Sequence, residues 1–264
     1  MLKLRKKIAT RRDIMAEKSY EISTIFGFEC INFKFENKNA RIILPNTEKN
    51  GRWVIKTEYA DAFMDTEIEL LNRGYCCAFI ENDSRWGVKA DIERKQRFIE
   101  FIIKEYNLNN KCALVGMSCG GLMAIKQVVY KSDNICCLYL DAPVLNYMSC
   151  PCGFGVGEAL GGGAFIGEIL NDLNMKSISE LLIYRDAPMH NIEKLIETKI
   201  PIILVAGDSD KVVPYCENGI MLESEYKNTD IPFSLYIKEG CDHHPHGHTD
   251  VKVTADFIDK AYSC

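Results

Sequence analysis

The chain has no basic excess. Its formal net charge is −5 and its pI about 5.7. It therefore lacks the positive surface that a phosphate backbone requires, and no nucleic-acid partner is expected. No apolar run reaches the roughly 18 residues that cross a bilayer, so no membrane span is expected. A signal-peptide pattern is missing as well. The basic start, Lys3 to Lys7 with Arg11 and Arg12, encloses only Ile8-Ala-Thr10, too short for an apolar core. Residues 1–21 read as a basic helix or arm in solvent, with a membrane-surface or partner helix as the alternative. Without a secretion signal, the twelve cysteines read as free thiols of a cytoplasmic protein, not as a disulfide framework. Cys76-Cys77 and Cys136-Cys137 sit in apolar runs, where a thiol packs as a small hydrophobe. Cys150-Pro-Cys152 lacks the second pair that a zinc knuckle needs.

What is present is enough for one sizeable core. The chain has 264 residues, 47% of them hydrophobic, which fits a single α/β domain over residues 22–264. Residues near 22–45 alternate apolar and polar, as in an antiparallel hairpin region. A strand is expected over Arg52–Tyr59, a helix from Ala60 to Arg73 ending at Gly74, and a buried strand at Cys76–Ile80. An amphipathic helix is expected from Asp91 to Tyr106, with Phe98, Ile99, Phe101 and Ile102 on its apolar side. Strands alternating with helices imply a mostly parallel sheet with helices on both faces. Between about 145 and 199 the alternation breaks at prolines and glycines, with short helical stretches at Ile166–Leu173 and Ile178–Leu182. This segment reads as a lid-like insertion over the C-terminal edge of the sheet.

The chemistry concentrates at strand ends. The stretch Cys112–Leu122 reads as a short apolar strand that ends in Gly116-Met-Ser-Cys-Gly120 and then enters a helix. A serine at such a corner is held in a strained conformation with its hydroxyl exposed, and small residues let strand and helix approach. Serine is a poor nucleophile without a base and an oxyanion site, so partners must be sought. Pro201–Gly207 is a second apolar run, followed by Asp208-Ser-Asp210. Phe233–Ile237 is a third, followed by Gly240-Cys-Asp-His-His-Pro-His246. The order is Ser, Asp, His, each after a strand.

Ser118 is the expected nucleophile, Asp210 the acid that orients the base, and His243 the base. Asp208 and His244 are the rivals for the last two roles. Cys119 is expected to offer its main-chain N–H to an oxyanion, not its thiol to the substrate. Tyr59 is the candidate for the second main-chain donor, with a core aromatic as the alternative. Trp86, in Asn82-Asp-Ser-Arg-Trp86, is a candidate for lining the substrate pocket, with a packed loop aromatic as the alternative. Four of the five histidines crowd into His243–His248. A metal cluster is the alternative there, but Pro245 and Gly247 indicate a loop without regular ligand spacing.

These residues resemble the α/β-hydrolase superfamily from about residue 22 to the end. The resemblance rests on Gly116–Gly121, Gly207–Pro214 and Gly240–His246. Arg52–Tyr59 and Leu140–Val144 are similar to a bacterial subgroup of small hydrolases, some of which accompany carbohydrate-utilisation genes. Cys119 departs from that subgroup, which often carries arginine there. The resemblance implies an α/β fold with a mostly parallel sheet of about eight strands, a nucleophile elbow and a lid-like insertion. It also implies a serine hydrolase acting on the carboxylic ester of a small substrate, an acetylated or acylated sugar among the candidates, with no cofactor and no metal. A serine peptidase of the same fold remains an alternative, with Glu58 or Glu217 receiving a substrate amine. So does a non-catalytic ligand-binding protein.

Overall fold

The computed structural model describes residues 20–263. The basic arm expected at residues 1–21 lies, up to residue 19, outside the described residues. Tyr20 and Glu21 already belong to the first strand, β1 (Tyr20–Ile25), so the boundary expected after residue 21 falls inside a strand.

A nine-stranded sheet forms the centre, in the order β1-β2-β3-β5-β4-β6-β7-β8-β9. Its first part is antiparallel. β1 pairs with β2 (Phe28–Phe35), and β2 with β3 (Lys38–Ile43). β3 also runs antiparallel to β5 (Cys76–Ile80). From there the sheet is parallel through β4 (Trp53–Lys56), β6 (Cys112–Met117), β7 (Ile135–Asp141), β8 (Ile202–Gly207) and β9 (Phe233–Lys238). The count exceeds the expected eight because the alternating 22–45 region extends back to Tyr20 and supplies three strands. The strands β4 to β8 are near-continuous apolar runs because helices cover both faces. β4 is shorter than the expected Arg52–Tyr59: it ends at Lys56, and Thr57-Glu58-Tyr59 turns off the sheet edge.

Two helix layers sandwich the sheet. On one face lie α1 (Asp65–Asn72) and α8 (Val251–Ala261), burying Leu70, Leu71, Ala255 and Ile258. On the other lie α2 (Lys89–Tyr106), α3 (Cys119–Tyr130), α6 (Ile192–Glu197) and α7 (Gly219–Tyr226). In α2, Phe98, Ile99 and Ile102 are fully buried, at the i, i+1, i+4 spacing of one helix face. Phe33 and Phe35 of β2 meet that face, with ring centroids 6.3 and 5.5 Å from Phe98. Each such buried side chain contributes roughly 1.5–3 kcal/mol. The helix stops at Asn107, whose φ of 51° is left-handed, a conformation asparagine tolerates better than most residues. No described helix is long and apolar enough to cross a membrane.

The segment between β7 and β8 holds α4 (Ala164–Asp172) and α5 (Ile178–Leu182) as well as α6. It has a small core of its own, in which Tyr147, Cys150, Cys152, Ile169 and Leu181 pack with Trp86, Leu122 and Met123. Cys150 and Cys152 are free and buried there, as small hydrophobes. This packing anchors the segment over the start of α3, where the site lies.

Candidate active site

The strand β6 delivers Ser118 into a tight corner. Ser118 has φ 53° and ψ −121°, a strained conformation for a residue with a side chain. The corner holds because its backbone groups are tied down. Ser118 N donates to Asp141 O at 2.9 Å, and Ser118 O accepts from Gly121 N and Val144 N at 3.0 and 3.1 Å. No side chain fits at two positions. A Cβ on Gly116 would lie 2.5 Å from Gly120 O, and one on Gly121 would lie 2.4 Å from Pro143 Cβ. Glycine here is a packing requirement of strand against helix.

Two loops bring the partners. The turn after β8 carries Asp210, whose Oδ1 accepts from Val212 N and Val213 N at 2.8 and 2.7 Å. The loop after β9 carries His243. His243 Nδ1 lies 2.8 Å from Asp210 Oδ2, and His243 Nε2 lies 3.1 Å from Ser118 Oγ. All three residues are buried. Burial raises the Asp210 carboxyl, but the His243 and backbone donors outweigh it and hold the group below its ordinary range. Asp210 is thus an anion beside an imidazole, the arrangement that fixes which ring nitrogen carries the proton.

The rivals go elsewhere. Asp208 Oδ1 accepts from Gly240 N at 2.8 Å and from Ser209 Oγ at 2.9 Å, on the exposed side of the turn. His244 is exposed, with its ring stacked on Phe63 at 5.4 Å. Its pKa is lowered, first by partial burial and then by His243 and His246.

Ser118 and His243 open into a cavity of about 330 Å³, lined also by Tyr59, Phe63, Arg85, Leu160, Phe165 and Val212. That volume is at the small end of ligand sites. A larger hollow, about 540 Å³, lies beside Arg41 and Phe79, but none of the three partners lines it. Tyr59 has φ 54°, in the turn that leaves β4. That turn is held from behind. Thr57 Oγ1 donates to Gly120 O at 2.6 Å, Asn82 Nδ2 to Thr57 O at 2.9 Å, and the buried Lys95 Nζ to Asn82 Oδ1 at 3.0 Å. Burial pulls Lys95 down to about 8. Cys119 is the first residue of α3, where main-chain N–H groups have no partner within the helix. Burial pushes its thiol up to about 11, so the thiolate is scarce at neutral pH and the thiol is a poor nucleophile.

Of the two readings open for Trp86, the structure takes the packed aromatic: it does not line this cavity. It is fully buried, its ring 6.4 Å from both Tyr147 and Phe165, and its Nε1 donates to Glu168 Oε1 at 2.9 Å. Its neighbour Arg85 lines the cavity instead. The cause is the small core under the β7–β8 segment, which claims the larger apolar ring. Arg85 lies 3.0 Å from Glu168 and over the Phe165 ring at 5.2 Å. Neither Glu58 nor Glu217 lines the cavity. Glu58 accepts from Asn82 at 2.5 Å, and Glu217 accepts from Ser149 Oγ and Val156 N at 2.6 and 2.5 Å. Sequence reasoning missed Asp141 altogether. It is buried at the end of β7, and its two carboxylate oxygens accept from His246 Nδ1 and Gly247 N, both at 2.7 Å.

Searched against protein families and against curated proteins, the chain matches no family profile and no curated protein. Solved structures do match. A puromycin hydrolase is 16% identical with TM-score 0.66, over 93% of this chain and 40% of its own. Est1E from Butyrivibrio proteoclasticus is 16% identical with TM-score 0.61, over 93% and 99%. Acetyl xylan esterase 1 from Thermoanaerobacterium sp. JW/SL YS485 is 13% identical with TM-score 0.64, over 93% and 88%. The chain has the α/β-hydrolase fold. It spans about two fifths of the puromycin hydrolase and nearly all of Est1E. Within this fold Ser118, Asp210 and His243 stand at the C-terminal ends of β6, β8 and β9, the edge at which open α/β sheets gather their ligands.

Proposed function

We propose that the chain is a serine hydrolase that cleaves the carboxylic ester of a small substrate, with acylated sugars the first class to screen. The observation that carries this reading is the contact chain Asp210–His243–Ser118, at 2.8 and 3.1 Å, opening into a cavity of about 330 Å³. Ser118 Oγ attacks the ester carbonyl carbon while its proton passes to His243 Nε2. Asp210 stabilises the imidazolium that forms. The oxyanion is received by the main-chain N–H groups of Cys119 and Tyr59. Collapse of the intermediate expels the alkoxide, which takes the proton from His243 and leaves an acyl group on Ser118. Water, deprotonated by His243, then attacks the acyl carbonyl, and Ser118 leaves with the proton. No cofactor enters these steps. Residues 145–199 act as a cap that shapes the acyl pocket through Leu160 and Phe165.

A peptidase of the same fold is the second reading, favoured by peptidases among the similar structures, such as the Pyrococcus horikoshii acylaminoacyl peptidase. An ester is preferred because neither glutamate proposed to hold a substrate amine lines the cavity, whereas the cationic Arg85 does. The test is fluorophosphonate labelling of wild type and Ser118→Ala with peptide mapping, followed by p-nitrophenyl esters from acetyl to octanoyl and matched amides. Label on Ser118 that disappears in the variant, with ester turnover above amide turnover, is the expected result. Full esterase activity in Ser118→Ala would overturn the mechanism. Absence of label on folded wild type would shift the reading to a non-catalytic binding protein.

A further inference from the structure

The loop after β9 places three imidazoles together. One ring nitrogen from each of His243, His244 and His246 lies within 4.8 Å of the others. The ring centroids are 4.7–4.9 Å apart. Hydrolysis by the route above employs only His243.

Two of the three rings already have the carboxylate partner that metal-bound imidazoles usually have. His243 Nδ1 is held by Asp210 Oδ2 at 2.8 Å and His246 Nδ1 by Asp141 Oδ1 at 2.7 Å. A carboxylate on one ring nitrogen makes the other the ligand atom and raises its basicity. Both pairs are buried; the His246 and Asp141 side chains are 3% and 1% exposed. The third ring, His244, is exposed and stacks on Phe63. Asp210 and Asp141 bring two negative charges to offset a divalent ion. Lys238 Nζ, 4.0 Å from Asp141 Oδ2, and Arg85 on the cavity wall oppose it. An all-imidazole set suits zinc, copper, nickel or cobalt and excludes magnesium and calcium, which take oxygen ligands. Tetrahedral zinc–nitrogen bonds of about 2.0–2.1 Å put ligand atoms about 3.3 Å apart, so the widest pair must close by about 1.5 Å.

We propose that His243, His244 and His246 form a binding site for a divalent transition cation of the zinc type, and that its occupancy shuts off hydrolysis. His243 Nε2 has one lone pair. Given to a metal, it cannot accept the Ser118 proton. The cation would be a reversible inhibitor, not a cofactor. The inhibition rests on the serine-hydrolase reading; the binding does not.

The experiment therefore has two arms, on the metal-stripped 264-residue chain, wild type and His244→Ala. His244 is exposed, so the variant spares the core. The first arm titrates Co²⁺ and records its visible ligand-field absorption. The expected result is one equivalent bound with tetrahedral-type bands, and binding about tenfold or more weaker in His244→Ala. The second arm measures p-nitrophenyl acetate hydrolysis against Zn²⁺, each protein relative to its own zinc-free rate. Wild type should fall to about a tenth or less and recover with chelator, with the half-inhibiting concentration raised about tenfold in the variant. Magnesium should do nothing. No stoichiometric Co²⁺ binding, or equal Zn²⁺ sensitivity of both proteins, would overturn the proposal. If no ester is turned over at all, the Co²⁺ arm still decides the site, and the labelling experiment separately decides the hydrolase.

Discussion

Asp141 Oδ1 accepts from His246 Nδ1 at 2.7 Å, across 105 residues of sequence. This bond fastens the loop after β9 to the end of β7, next to the corner that holds Ser118. Asp141 Oδ2 takes Gly247 N as well, so one buried carboxylate fixes two successive parts of that loop.

Asp141→Asn should therefore loosen the loop that carries His243. Hydrogen bonds to a charged group are worth about 1.5–3 kcal/mol each. A loss of about 2–4 kcal/mol is expected, with a Tm drop of several degrees at roughly 2–4 °C per kcal/mol. Calorimetry checks the stability. A fall in kcat larger than the change in KM checks that the loop's contribution is to positioning.

Asp210→Asn should leave the fold intact and lower kcat by about 10⁴, because the wrong ring nitrogen of His243 would then carry the proton. KM should change little, since Asp210 faces His243. Steady-state kinetics on the best ester decide this, and a loss below tenfold would remove Asp210 from the mechanism.

Trp86→Ala should behave as a core mutation. Truncating a buried tryptophan costs about 3–5 kcal/mol, and Glu168 would lose a donor. Denaturant melts should show that loss. Arg85→Ala should instead spare stability and change the KM for substrates of different charge. The opposite pattern would restore Trp86 as a pocket residue.

Lys95 supplies a pH signature. Its pKa is lowered from 10.5 to about 8 by burial, so between those values the unfolded chain binds more protons than the folded one. Stability then rises with pH through that interval and is lost as pH falls toward 8. Lys95→Met removes this titration. Unfolding free energies at pH 7.5 to 10.5 should rise less steeply for the variant than for wild type. Parallel curves would mean that Lys95 keeps its ordinary pKa.

Local pattern was enough for most of the fold. Cys76–Ile80 was legible as a strand to the residue, because a strand buried on both faces has no polar position to blur its ends. The Asp91–Tyr106 periodicity located α2 to within two residues at its start. The glycines around Ser118 announced the corner because nothing larger fits there. The nine-strand count was less legible, because β1 is an edge strand with mostly exposed residues and little apolar signal.

By itself the sequence determined the layered α/β architecture, the chain order serine, aspartate, histidine and the placing of each after a strand. All three follow from short-range rules: apolar runs form buried strands, and small or polar residues end them. Only the tertiary structure decided which neighbour of a pair enters the site. Asp210 and not Asp208, Arg85 and not Trp86, and the joining of Asp141 to His246 depend on loops that start from different strands and meet at one sheet edge. Sequence spacing carries no record of that meeting, because it is set by long-range packing across the sheet and beneath the β7–β8 segment.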